Sequence, residues 1–120
     1  MKILICDDDP ALVSLIRFQL QDENIGELFI ATNGEQAMKL ADDHAFDLLI
    51  TDIHMPYYNG DDVMHLLKKK SKGQVKVIMM SADDEEEVKN LAKKQGVLHF
   101  FSKPFDVGVL VKIVKRLLSP

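Results

Sequence analysis

The sequence predicts an α/β protein in which helices cover both faces of a parallel sheet. Five short apolar runs alternate with segments of helical period. Most of those runs are apolar at successive positions, as in strands buried on both faces. Capping and turn residues fall between the two kinds of segment. Strand-helix-strand crossovers are right-handed, which places helices on either side of the sheet. A chain of 120 residues would expose about 6,600 Å² when folded, against about 20,000 Å² unfolded. That buries roughly two-thirds of its surface, enough for one core, and the expectation is a single domain over residues 1–120.

The first run, Lys2 to Cys6, leads into a helix with Leu12, Leu15, Ile16 and Leu20 on one face. Asp9 is its expected N-cap, with Pro10 at the first helical position. Glu27 to Ala31 is less purely apolar and suits an edge strand. Asn33-Gly34 reads as a turn before a helix carrying Ala37, Leu40 and Ala41. Asp47 to Thr51 is the third strand, Asn59-Gly60 a second turn, and Val63, Leu66 and Leu67 the next helical stripe. Lys68 to Lys72 falls at that helix's C-terminal end, where cations are favoured. Val75 to Met80 is the fourth strand. The acids Asp83 to Glu87 suit the first turn of a helix with Val88, Leu91 and Ala92, and Gly96 suits the position just past its end. Val97 to Phe101 is the fifth strand. Asp106 caps a final helix with Val107, Leu110, Val111, Val114, Leu117 and Leu118 inward, and Val109 and Ile113 widen its apolar surface.

Charge and composition exclude several functions. Fifteen basic and 19 acidic residues give a net charge of −4, so phosphate backbones and anionic membranes repel the chain. One cysteine allows no internal disulfide and no cysteine-built zinc site, and inside the first strand Cys6 reads as a small buried hydrophobe. No apolar run approaches the ~18 residues that span a bilayer. Met1 to Cys6 runs directly into three aspartates, unlike a signal peptide. The expectation is a soluble protein of a reducing, cytoplasmic compartment.

In open α/β sheets ligands bind beyond the carboxyl ends of the strands. Asp7, Asp8 and Asp9 follow the first strand, Asp52 the third, Ser81 the fourth, and Lys103 lies just beyond the fifth. Carboxylates crowded at one edge repel, and an all-oxygen site suits Mg²⁺, with Mn²⁺ as an alternative. An anionic Asp52 can attack phosphorus, while the cation, Lys103 and the Ser81 hydroxyl balance charge on the phosphoryl oxygens.

At these residues the sequence resembles the response-regulator receiver domain of two-component signalling. The stretches ILICDDDP, DIHMPYYNG, MMSA and FFSKPF carry the resemblance, in order and each ending a predicted strand. It implies the flavodoxin-like (βα)5 fold, a three-layer sandwich with strand order 2-1-3-4-5. It further implies that Asp52 is phosphorylated by a phosphohistidine of a sensor kinase or phosphotransfer protein. Asp7, Asp8, Asp52 and the His54 carbonyl would hold Mg²⁺, Ser81 and Lys103 would contact the phosphoryl group, and Lys103-Pro104 would be cis. Phe100 would change rotamer, and the surface of helix 4, strand 5 and helix 5 would serve a homodimer or effector. His54 and Asp83, two residues after Asp52 and Ser81, would tune phosphoryl lifetime. The module would be a switch between two conformers rather than a turnover enzyme, with no output element in these residues.

Plainer readings stand beside these. Asp7 and Asp8 also suit helix capping, and Ser81 also suits the N-cap of the fourth helix. His44, His65 and His99 lack metal-ligand spacing and read as surface or edge residues. The rival enzyme is a haloacid-dehalogenase-like phosphatase with Asp7 as nucleophile and Asp9 two residues later. It lacks the glycine or threonine expected next, a second acid pair near the lysine, and room for a cap domain. A flavodoxin-like FMN carrier fails on the three carboxylates after the first strand, where flavin phosphate needs amides and hydroxyls.

Overall fold

The computed structural model describes residues 1–82 and 86–119. Ten elements alternate: β1 (Lys2–Cys6), α1 (Pro10–Asp22), β2 (Glu27–Ala31), α2 (Gly34–Asp43), β3 (Leu48–Asp52), α3 (Gly60–Lys70), β4 (Lys76–Ser81), α4 (Glu86–Lys94), β5 (His99–Ser102) and α5 (Val107–Leu118). All strand pairs are parallel, in the order β2-β1-β3-β4-β5, so β2 is indeed an edge. Successive strand residues face opposite sides of the sheet. Leu4, Cys6, Leu49, Val77 and Met79 therefore pack with α2, α3 and α4, while Ile3, Ile5, Leu48, Ile50, Ile78 and Met80 pack with α1 and α5.

Three strands are shifted toward the carboxyl edge relative to the apolar runs. The Val75 amide donates to Ser71 Oγ at 3.0 Å instead of to a strand. Val97 is the last residue of a helix-terminating motif: its amide donates to Ala92 O, that of Gly96 (φ 89°) to Lys93 O. Asp47 joins the sheet's amino edge, accepting the Lys2 amide through Oδ2 at 2.8 Å.

The helical stripes are rotated from expectation in one consistent sense. In α1 the buried residues are Val13, Ile16 and Leu20, whereas Leu15 is 45 % exposed; in α4 Ala92 is buried and Leu91 is 54 % exposed. Met64 joins Val63 and Leu67 in the core, and Leu66 is half-buried. At roughly 100° per residue, a side chain one position before the deepest residue leaves the buried arc, whereas one three positions before stays in it.

Asp9 and Asp106 cap α1 and α5 as expected. Both Asn-Gly pairs differ from expectation: Asn33 and Asn59 are N-caps, with Gly34 and Gly60 opening the helices. Gly34 is required by close approach, since a Cβ there would meet Tyr58 O at 2.0 Å. Lys70, in the basic run, has a partner the sequence did not reveal. Its Nζ donates to the carbonyls of Ala41, Asp42 and His44 at 2.6, 2.7 and 3.0 Å, where α2 leaves them without helical partners. His44 packs against Phe29 at 4.6 Å with the rings tilted by 47°, and approaches Phe46 at 5.9 Å, an edge position with aromatic neighbours. Asp83, and with it the start of the acidic run and the N-cap of α4, lies outside the described residues. No described helix is long and apolar enough to cross a membrane.

Candidate functional site

Parallel pairing sets the site. β1 and β3 are neighbours whose ladder ends at Cys6 opposite Thr51, so Asp7 and Asp52 emerge side by side. β4 and β5 end at Ser81 opposite Ser102, and the Lys103 amide donates to Ser81 O at 2.8 Å, continuing the pairing one residue further. Lys103-Pro104 is cis, as expected. Asp7, Asp8 and Asp52 each bring an oxygen within 4.8 Å of the others. Lys103 Nζ lies 2.6 Å from Asp7 Oδ2 and 3.2 Å from Asp52 Oδ2. The geometry thus unites four of the predicted site residues. Ser81 closes the neighbouring strand end, fully buried and engaged. The His54 amide reaches Asp52 Oδ1 at 3.4 Å while its imidazole is exposed. Phe100 is half-buried and lines a hollow between α4 and β5.

The electrostatics are unbalanced. Three carboxylates face one ammonium. Burial pushes the Asp7 carboxyl above its usual range; Lys103 and the Asp9 amide pull it back, and the Asp52 charge pushes it up again. Burial draws the Lys103 ammonium down, but Asp7 and Asp52 outweigh it and the net direction is upward. The contact therefore favours the cation more than the anion, because Asp7 loses more water than Lys103 can replace. Asp7 Oδ2 is buried without an aligned hydrogen-bond donor; the 2.6 Å approach of Lys103 is an ion pair out of line for a directed bond. A buried oxygen short of donors, beside two further carboxylates, fits a hard divalent cation of the Mg²⁺ kind. Burial also pushes the Cys6 thiol far up, so that the sulfur stays protonated, as expected of a buried small hydrophobe.

Two backbone features shape the loop after Asp52: Gly60, expected as the last residue of DIHMPYYNG, and Tyr57, whose conformation the sequence does not announce. Gly60 closes the loop after Asp52, its amide donating to Ile53 O at 2.8 Å, and a Cβ there would meet Asp52 O at 2.3 Å. Tyr57 stands at φ 74° with the Tyr58 amide donating to Pro56 O at 3.0 Å, a γ-turn of the rare positive-φ kind. Proline and Asn-Gly announced a loop there, but nothing in the composition signals a left-handed tyrosine.

A doubly wound α/β fold with an acidic hollow at the carboxyl edge defines a class of proteins whose ligands bind beyond the strand ends, where the strand order reverses. Residues 3–115 match the family described as response regulator receiver domain, and the chain belongs to that family of signalling switches. It is 37% identical over 117 residues to the transcriptional regulatory protein CpxR of Escherichia coli, covering 98% of this chain and 49% of CpxR. Among solved structures it resembles a Francisella response regulator receiver domain (TM-score 0.84, 29% identity, 98% of this chain and 95% of that one). A BeF3-activated DrrB receiver domain is similarly close (TM-score 0.85, 26% identity, 98% and 96%). The chain spans about half the length of the first curated relatives it matches.

Proposed function

We propose that residues 1–120 work as one phosphorylation-driven switch with Asp52 as phosphoacceptor. The observation that carries the reading is the Asp52 carboxylate, joined to Asp7 and Asp8 within 4.8 Å and to Lys103 at 3.2 Å. A carboxylate oxygen of Asp52 attacks the phosphorus of a phosphohistidine; the P–N bond breaks and its electron pair returns to the imidazole. Asp7, Asp8, Asp52 and the His54 carbonyl would hold Mg²⁺ (or Mn²⁺), which would supply positive charge to offset the negative charge gathered in the site. Lys103 adds positive charge and Ser81 a hydroxyl donor. Phosphorylation then shifts a pre-existing two-state equilibrium, with Phe100 as the switching side chain. The partners are a sensor histidine kinase or histidine phosphotransfer protein, and a second copy or an effector on the α4–β5–α5 face. The setting is cytoplasmic, and the role is that of a switch rather than a turnover enzyme.

The phosphatase alternative is disfavoured by Asp7 itself. It is fully buried, and its contacts to the Asp9 amide at 2.9 Å and to Lys103 at 2.6 Å are shorter than the 3.4 and 3.2 Å contacts that Asp52 makes, so Asp52 is the freer carboxylate. Incubation with Mg²⁺ and acetyl phosphate, followed by intact mass and peptide mapping, tests the proposal. One phosphoryl group on Asp52, abolished in Asp52→Asn, is expected; phosphate on Asp7, or none, overturns it.

A further inference from the structure

Resting on the reading of Asp52 as phosphoacceptor, we infer that Thr51 is a positioning residue: its buried hydroxyl fixes the Asp52 peptide and so aims the carboxylate at Asp7 and Asp8. Thr51 is fully buried, and its Oγ1 donates to the Asp52 carbonyl at 2.9 Å. The β1–β3 ladder stops at the Cys6–Thr51 pair. One residue beyond it, the Asp52 carbonyl takes this hydroxyl as its donor. Gly60 packs over the same place: a Cβ there would lie 2.3 Å from Asp52 O and 3.1 Å from Thr51 Cγ2. Cys6, equally buried, is the residue paired with Thr51 across the two strands. Glycine backbone, cysteine and strand thus keep water from replacing the hydroxyl.

The fold alone does not call for a hydroxyl here. A buried central strand is served at least as well by valine, which has the same shape and no polar group to satisfy. The phosphoacceptor does call for one, because its own side chain is loosely gripped. The His54 amide at 3.4 Å is a long contact, and Lys103 at 3.2 Å stands at the upper end of the ordinary range. Orientation must therefore come from the main chain. Without the hydroxyl a buried carbonyl loses its donor, the peptide turns to recover one, and the carboxylate moves with it. Displacements of an ångström suffice to slow an in-line transfer by orders of magnitude.

The test compares the full chain as wild type, Thr51→Val and Thr51→Ser, with saturating Mg²⁺ and a series of acetyl phosphate concentrations, following Asp52 phosphorylation by intact mass. Thr51→Val is expected to lower the maximal rate about tenfold or more with the half-saturating donor concentration unchanged, and Thr51→Ser to stay within about twofold of wild type. A folded Thr51→Val as fast as wild type, or a Thr51→Ser as slow as Thr51→Val, overturns the inference, the latter because methyl packing and not the hydroxyl would then set the rate. If Thr51→Val does not fold by circular dichroism, Thr51→Ala replaces it: serine faster than alanine by the same margin supports the role, and equal rates overturn it. A wild type that takes no phosphate overturns the reading of Asp52 itself, whereas a phosphorylated wild type with an equally fast valine variant overturns the role of Thr51 alone.

Discussion

At the residue scale, Asp7 concentrates the site's electrostatic conflict in one fully buried side chain. A carboxyl whose folded pKa is raised stabilises the fold below its unfolded value of about 3.9, and that contribution is lost as pH rises through the folded value. Ionising Asp7 therefore costs the metal-free domain stability. Asp7→Asn should raise metal-free stability by about 1 kcal/mol, visible as a melting point a few degrees higher in EDTA, and should cut the further gain on adding Mg²⁺. Lys103 has the opposite sense: its raised pKa contributes fully below about 10.4 and is lost as pH climbs through the folded value, so the metal-free domain should weaken in alkali. Tyr57 is 77 % exposed at φ 74°, so little burial offsets its strain. Tyr57→Gly should stabilise the domain by about 0.5–1 kcal/mol in urea unfolding, the relief of strain exceeding glycine's entropy in the unfolded chain. The sequence made the charged residues legible, because carboxylates and lysine cluster visibly at strand ends. It hid Thr51 and Tyr57, whose importance lies in a hydroxyl's direction and a backbone angle.

At the element scale, capping chemistry was read more securely than side-chain faces. Asp9 and Asp106 cap their helices because a carboxylate before a helix satisfies free amides wherever it occurs. Leu15 and Leu91 were misplaced because apolar spacing defines a stripe but not its centre, which the neighbouring layer chooses. The clamp of Lys70 on α2 was illegible, since it joins residues 26 to 29 positions apart. Lys70→Met keeps the aliphatic stem and removes three hydrogen bonds from the α2 C-terminus. A loss of about 1 kcal/mol is expected, with faster hydrogen exchange confined to the last turn of α2, because water can reach these carbonyls and compensate in part.

At the scale of the whole molecule, the sheet order could be assigned only through family resemblance, since alternation alone fixes handedness and not which strands are neighbours. Once β1 and β3 adjoin, the acidic hollow follows, and with it a cost that a bound cation would relieve. A ligand bound only by the folded state stabilises by about 2.7 kcal/mol at a hundredfold excess over its Kd. Mg²⁺ should therefore raise the melting temperature by several degrees in the wild type and much less in Asp8→Asn; an unchanged midpoint would contradict the cation site.

The sheet also partitions the interior into two apolar compartments, one holding Leu67 and the other Val114. Side chains on opposite sides of a sheet share few neighbours, so damage inflicted on one compartment is not repaired or aggravated by damage to the other. Truncations of Leu67 and Val114 to alanine should sum arithmetically in a double-mutant cycle, within about 0.5 kcal/mol. Each compartment can then drift independently over generations, with the strand ends as the common ground that neither may disturb.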